Sequence, residues 1–162
     1  MKRAALVFLV VLALAASAAA QNKFSGTWQC GKAEKEFKIE VGDRPDHAFT
    51  IAQGKCAVTK AEIVGIQVKE EVWTGSGEAS GNTVRVRFSS FLNMANGEKA
   101  YVRSDGTITL KDGALQTWES KWTFNSGTGK FKGLKGKGTY KCTPAADGTA
   151  TCEGEGEYEL PK

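Results

Sequence analysis

The chain has 162 residues, 41% hydrophobic and 25% charged, with 19 glycines, 3 prolines, four cysteines and one histidine. That length suits one domain with its own core, and the scarcity of proline argues against an extended linker. The formal charge of +4 includes Lys2 and Arg3; without them 20 Lys and Arg stand against 18 Asp and Glu, a balance that does not call for a nucleic-acid partner.

The first element in chain order is an export segment. Lys2 and Arg3 form a positive start, Ala4 to Ala16 is a continuous apolar run, and Ser17-Ala18-Ala19-Ala20 puts small residues where a signal peptidase needs them. Residues 1–20 are therefore predicted to be a signal peptide cut before Gln21, and residues 21–162 a single domain. The apolar run is short and alanine-rich for a membrane span, and nothing later in the chain resembles one. The expected location is periplasmic or secreted, with no membrane span once the signal is removed.

Export makes disulfides the default for Cys30, Cys56, Cys142 and Cys152, which admit three pairings. One histidine and no C-x-x-C pair leave no zinc site, and no metal or other cofactor is predicted. Downstream, period-two alternation between turn signals predicts strands over 26–30, 36–41, 48–52, 55–60, 72–78, 83–91, 99–104, 107–110, 116–124, 134–142 and 151–160. The turn signals include Gly81-Asn82, Asn96-Gly97, Asp105-Gly106, Asp112-Gly113, Ser126-Gly127 and Asp147-Gly148. The stretch 61–68 (AEIVGIQV) fits neither a strand nor a helix decisively. So many short strands in one domain imply an all-β barrel or sandwich that limits exposed edges.

The last hairpin carries more information. If Cys142 bonds Cys152 as directly opposed residues, Lys135, Lys137 and Lys141 fall opposite Glu159, Glu157 and Glu153. One face becomes a charge ladder, and the other carries Leu134, Tyr140, Tyr158, Leu160 and four glycines. Opposite charges across strands favour such a register, so the pairing Cys142–Cys152 is preferred and Cys30–Cys56 follows by elimination. Glycines at Gly136, Gly138, Gly154 and Gly156 predict strong curvature, or aromatic rings filling the space above them.

Candidate sites are few, and no catalytic residue is predicted. The run Gly127-Thr128-Gly129-Lys130 lacks both the glycine and the hydroxyl residue of a phosphate loop, with Phe124 and Phe131 in their places. His47, in a polar turn beside Asp46, has no nucleophile to serve and reads as a surface turn. Glu70-Glu71 and Asp105 are carboxylates without a paired acid or base. Arg85 and Arg87 share one face of a strand whose other face is Val84, Val86 and Phe88, so they are solvated unless the lumen is polar. The aromatic set Trp73, Phe88, Tyr101, Trp118 and Trp122 is the ligand-binding candidate, since such rings can line an apolar pocket; ordinary core packing is the competing reading.

Three resemblances bear on this. Gly26-Thr27-Trp28 resembles the G-x-W start of the calycin group (lipocalins, fatty-acid-binding proteins and avidins), although the arginine that locks that tryptophan is missing from the final strand. The segment 122–140 (WTFNSGTGKFKGLKGKGTY), with 96–100 (NGEKA), is similar to small exported bacterial β-barrel proteins of unknown function and to the allene oxide cyclase-like barrel. Trp28-Gln29-Cys30-Gly31 followed by Phe37-Lys38-Ile39 resembles the small periplasmic inhibitors of C-type lysozymes. Together they imply an antiparallel up-and-down, lipocalin-like β-barrel of about eight strands, disulfide-bonded, with a central cavity. The first functional expectation is an exported barrel binding a small apolar ligand. The alternatives are a periplasmic inhibitor acting on a secreted protein partner, a cell-wall hydrolase, and a cyclase- or isomerase-like barrel enzyme.

Overall fold

The computed structural model describes residues 22–161. The predicted signal peptide, residues 1–20, lies outside the described residues. Nine strands follow in order: β1 (Asn22–Cys30), β2 (Lys35–Glu40), β3 (His47–Ile63), β4 (Ile66–Ser80), β5 (Thr83–Met94), β6 (Lys99–Lys111), β7 (Ala114–Gly127), β8 (Lys135–Pro144) and β9 (Ala150–Glu159). From β2 onward each strand pairs antiparallel with the next, and β1 pairs with both β9 and β3. Eight strands thus close an antiparallel barrel, and β2 is an extra strand on its rim.

Strand β3 serves two partners along one edge. Its first half pairs with β2, from Ala48 opposite Glu40 to Gln53 opposite Lys35. Its second half pairs with β1, from Cys56 opposite Cys30 to Ala61 opposite Gly26. The segments 48–52 and 55–60 are therefore one strand running through Gly54. That glycine keeps the strand continuous beneath an aromatic ring, because a Cβ there would sit 2.5 Å from the Trp73 indole. The undecided stretch 61–68 is the end of β3 and the start of β4 joined by a tight turn, with Val64 at φ 47° and Gly65 at φ 76°; glycine adopts that conformation freely, valine only under strain.

Asp105-Gly106 forms no turn. Both residues lie in mid-β6, where Gly106 opposes Val86 on one side and Ser120 on the other. A Cβ on Gly106 would meet Ser120 Oγ at 2.1 Å and the Glu119 carbonyl at 2.3 Å. The residue is glycine because two backbones approach closely, a use that reads like a turn signal in sequence.

The disulfides are Cys30–Cys56 and Cys142–Cys152, each between directly opposed residues. The β8–β9 register sets Lys135, Lys137 and Lys141 opposite Glu159, Glu157 and Glu153. The ladder is only partly closed as ion pairs: Lys137 reaches Glu157 at 3.7 Å, while Lys141 turns to Glu119 on β7 at 3.1 Å.

Alternation along each strand sends one set of side chains into the barrel. One end is plugged by Ile63, Val68, Met94, Leu134 and Phe131, the last carried on a 3-10 turn, Gly129–Phe131. The glycine-rich run 127–130 serves this plug: the Lys130 backbone N–H donates to Glu98 Oε1 at 3.2 Å. On the outside, β2 and the start of β3 expose an apolar strip of Phe37, Ile39, Phe49 and Ile51, with Phe37 72% exposed.

Candidate functional site

Above the plug the lumen narrows to an aromatic floor. Phe24 from β1 and Trp122 and Phe124 from β7 meet there, with ring centroids 4.9–5.3 Å apart. The inward glycines of the last hairpin make room for these rings and their neighbours. A Cβ on Gly138 or Gly156 would come within 2.6 Å of Trp122, one on Gly136 within 2.8 Å of Phe124, and one on Gly154 within about 3.0 Å of Trp28. Trp122 Nε1 donates to the Thr139 carbonyl at 3.0 Å, which holds the indole flat against this surface.

The cavity stands on that floor. Its walls include Trp28, Glu71, Trp73, Phe88, Ser104, Trp118 and Tyr140. The free volume inside it is about 50 Å³, room for about three to five waters or a compact ligand group. Half-buried Trp73, Phe88, Trp118 and Tyr140 form the upper wall, and Trp28 is fully buried below. The rings follow one another edge to face or tilted: Trp73–Phe88 at 5.5 Å, Phe88–Trp118 at 5.4 Å, Trp118–Tyr140 at 5.9 Å and Tyr140–Trp28 at 5.4 Å.

Among the described residues Glu71 is the one Asp, Glu, Lys, Arg or His side chain lining this cavity. A bulge aims it there. Between Val68, opposite Met94, and Glu70, opposite Asn93, β4 advances two residues while β5 advances one. Even-numbered Val68 faces the plug; past the bulge the odd-numbered Glu71, Trp73 and Gly75 face inward. Bulges re-aim side chains in this way beside functional sites. Its neighbour Glu70 instead accepts a 2.7 Å bond from Asn93 Nδ2.

Burial raises the Glu71 carboxyl above its ordinary 4.5, opposed in part by the Ser90 hydroxyl and the Trp28 indole. The Trp28 N–H comes near the carboxyl without closing a full hydrogen bond, and the buried Trp73 N–H likewise has no partner. Tyr140 is pushed far above its ordinary 10.0, first by burial and then by Glu71. Its hydroxyl stays protonated and lies 3.6 Å from Cys30 Sγ.

Of the five aromatic residues singled out in sequence, the fold brings Trp73, Phe88, Trp118 and Trp122 to this cavity. Tyr101 is not among them. It opposes Phe91 on the outer face of β6 and is 40% exposed, because its inward neighbours in the alternation are Ala100 and Val102. Arg85 and Arg87 point outward to solvent, and Arg87 Nε donates to Asp105 Oδ1 at 2.7 Å. His47 departs from the expected surface turn. It is 6% exposed, held by Asp43 through Nδ1 and 3.3 Å from Glu78 Oε1 through Nε2, and it lines none of this cavity. The histidine bond lowers the Asp43 carboxyl below its ordinary 3.8. Among the described residues no three His, Cys, Asp or Glu side chains gather as a metal site requires.

In sequence Glu71 reads only as a carboxylate without a partner, and nothing there assigns it to the ligand site. The predicted strand starts at Val72, six residues after the observed start of β4 at Ile66, and so leaves Glu71 out. A signal was present: Glu71 stands two residues before Trp73 and so shares its face. The apolar pair Ile66 and Val68 has the opposite parity, and that phase conflict marks the bulge.

No family model matches the chain, and no curated protein does. Among solved structures it is similar to the crystal structure of a conserved protein of unknown function from Rhodopseudomonas palustris, at 10% identity and a TM-score of 0.50. The match covers 85% of this chain and 97% of that one. At that identity the likeness concerns the barrel fold alone.

Proposed function

We propose that this protein is an exported barrel that binds a small ligand in its lumen. The observation that carries the reading is the cavity itself: aromatic walls around a few convergent polar groups, the usual build of a small-molecule site. Its size favours a compact ligand, or the compact head of a longer one. The export reading is supported by the N-terminal sequence pattern and agrees with two disulfides. Binding is preferred over cyclase or isomerase chemistry because Glu71 has no acid–base partner in the lumen. Tyr140, the titratable side chain beside it, stays protonated and offers a hydroxyl donor but no base.

Native mass spectrometry of the protein purified from its own host tests this reading. The expected result is a discrete small-molecule adduct that is lost in Trp118→Ala and retained in Tyr101→Ala. A ligand-free mass, together with tryptophan fluorescence unmoved by host extract, would overturn it.

A further inference from the structure

The walls and the carboxyl group form one circuit. The chain of five rings begins at Trp73, two residues from Glu71 on the same strand face, and ends at Trp28, whose indole approaches the Glu71 carboxyl. Aromatic rings carry negative π faces, and a box of them attracts a cation most strongly where water is excluded. A carboxyl group in such a box lacks only a positive partner. None comes from the described residues: no lysine, arginine or histidine among them lines the cavity, and none forms an ion pair with Glu71. Glu71 as a whole is half-buried, but its carboxyl lines the apolar cavity, where a carboxylate without a counter-charge is costly. A bulge nevertheless places it there.

We propose that the cavity takes a small organic cation, a methylated ammonium group, with Glu71 as its counter-charge and Trp28, Trp73, Phe88, Trp118 and Tyr140 as its walls. The proposal deepens the ligand-binding reading and rests on it. A quaternary ammonium has no hydrogen-bond donors to satisfy, so an apolar wall with one carboxylate is sufficient to hold it. Binding also couples to protons. A Glu71 carboxyl protonated in the free protein must release its proton as the cation enters, so affinity rises with pH. The other groups facing Glu71 do not interfere: Cys30 and Cys56, from β1 and β3, are joined in a disulfide, Tyr140 from β8 stays protonated, and Leu92 from β5, Ser104 from β6 and Trp118 from β7 carry no charge.

The test compares tetramethylammonium with tert-butanol, a neutral molecule of similar shape, by tryptophan fluorescence and calorimetry on the full disulfide-bonded protein. Saturable tetramethylammonium binding is expected, about ten-fold or more tighter than tert-butanol. Its affinity should climb by up to about ten-fold per pH unit below the Glu71 pKa, with proton release visible across buffers of different ionisation enthalpy. Glu71→Gln should remove the pH dependence and weaken the cation more than tert-butanol, and Trp118→Leu should likewise weaken the cation more than tert-butanol. If both probes bind equally and Glu71→Gln changes nothing, the cation inference is overturned while the lumen remains a ligand site. If neither binds, the inference is likewise overturned, and the adduct measured on host-purified protein decides the wider reading separately.

Discussion

At the scale of single residues, Glu71 joins stability to function. Its carboxyl is raised above 4.5 by burial, so the folded state holds this proton more tightly than the unfolded chain does. That contribution is fully present below the unfolded pKa and is lost as pH rises through the higher folded value. The wild-type protein is therefore expected to lose stability through this group as pH rises from about 4.5. Glu71→Gln, which keeps the shape and needs no ionisation, should be more stable at neutral pH and flatter across that window. Denaturant unfolding at several pH values checks this, and identical profiles for the two proteins would show that the carboxyl is solvated. Trp118 and Trp122 are legible as one face because they stand four apart on one strand, whereas Trp73 and Phe88 join them only through the strand order of the barrel. Glu71 reads in sequence only as an unpaired carboxylate because its phase is set by a bulge, and Tyr101 points outward because the alternation sends Ala100 and Val102 inward.

Among the elements, the last hairpin shows how a strand can be written around a neighbour's side chain. Four inward glycines weaken β8 and β9 as isolated strands, yet each leaves a space that an aromatic ring occupies. The substitution Gly156→Ala puts a Cβ 2.2 Å from the Lys137 carbonyl and 2.6 Å from Trp122, so backbone and floor must both shift. Overpacking of this kind typically costs about 1–3 kcal/mol, and more where backbone is the obstacle. Gly31→Ala, with nothing within 4 Å of the added atom, is the control, expected to change stability by less than about 0.5 kcal/mol. Equal effects in thermal unfolding would mean that the floor is loosely packed. This hairpin was readable in sequence because charge, cysteine and glycine patterns agreed on one register. Asp105-Gly106 was misread because glycine for close approach and glycine for a turn look alike in a single sequence.

For the whole molecule, the question is how a linear meander closes. Seven of the barrel's eight contacts join strands adjacent in the barrel's own chain order from β3 to β9 or bring β9 back to β1; the eighth is the short seam of β1 on β3. The seam shares its edge of β3 with β2, and Cys30–Cys56 staples it at the point where β1 ends. Cys142–Cys152 only reinforces a hairpin that is already local. The chain-entropy model gives about 3.5 kcal/mol for the first loop, of separation 26, and about 2.7 kcal/mol for the second, of separation 10. The difference should widen in the protein, because opening the seam frees an edge of the barrel as well as a loop. Cys30→Ala with Cys56→Ala is therefore expected to lower the melting temperature more than Cys142→Ala with Cys152→Ala, by about 10 °C against a smaller loss. Cys56 also lines the cavity beside Glu71, so the first pair should weaken tetramethylammonium binding while the second leaves it intact. Equal losses in both measurements would place the strength of the barrel in its ladders rather than in the seam.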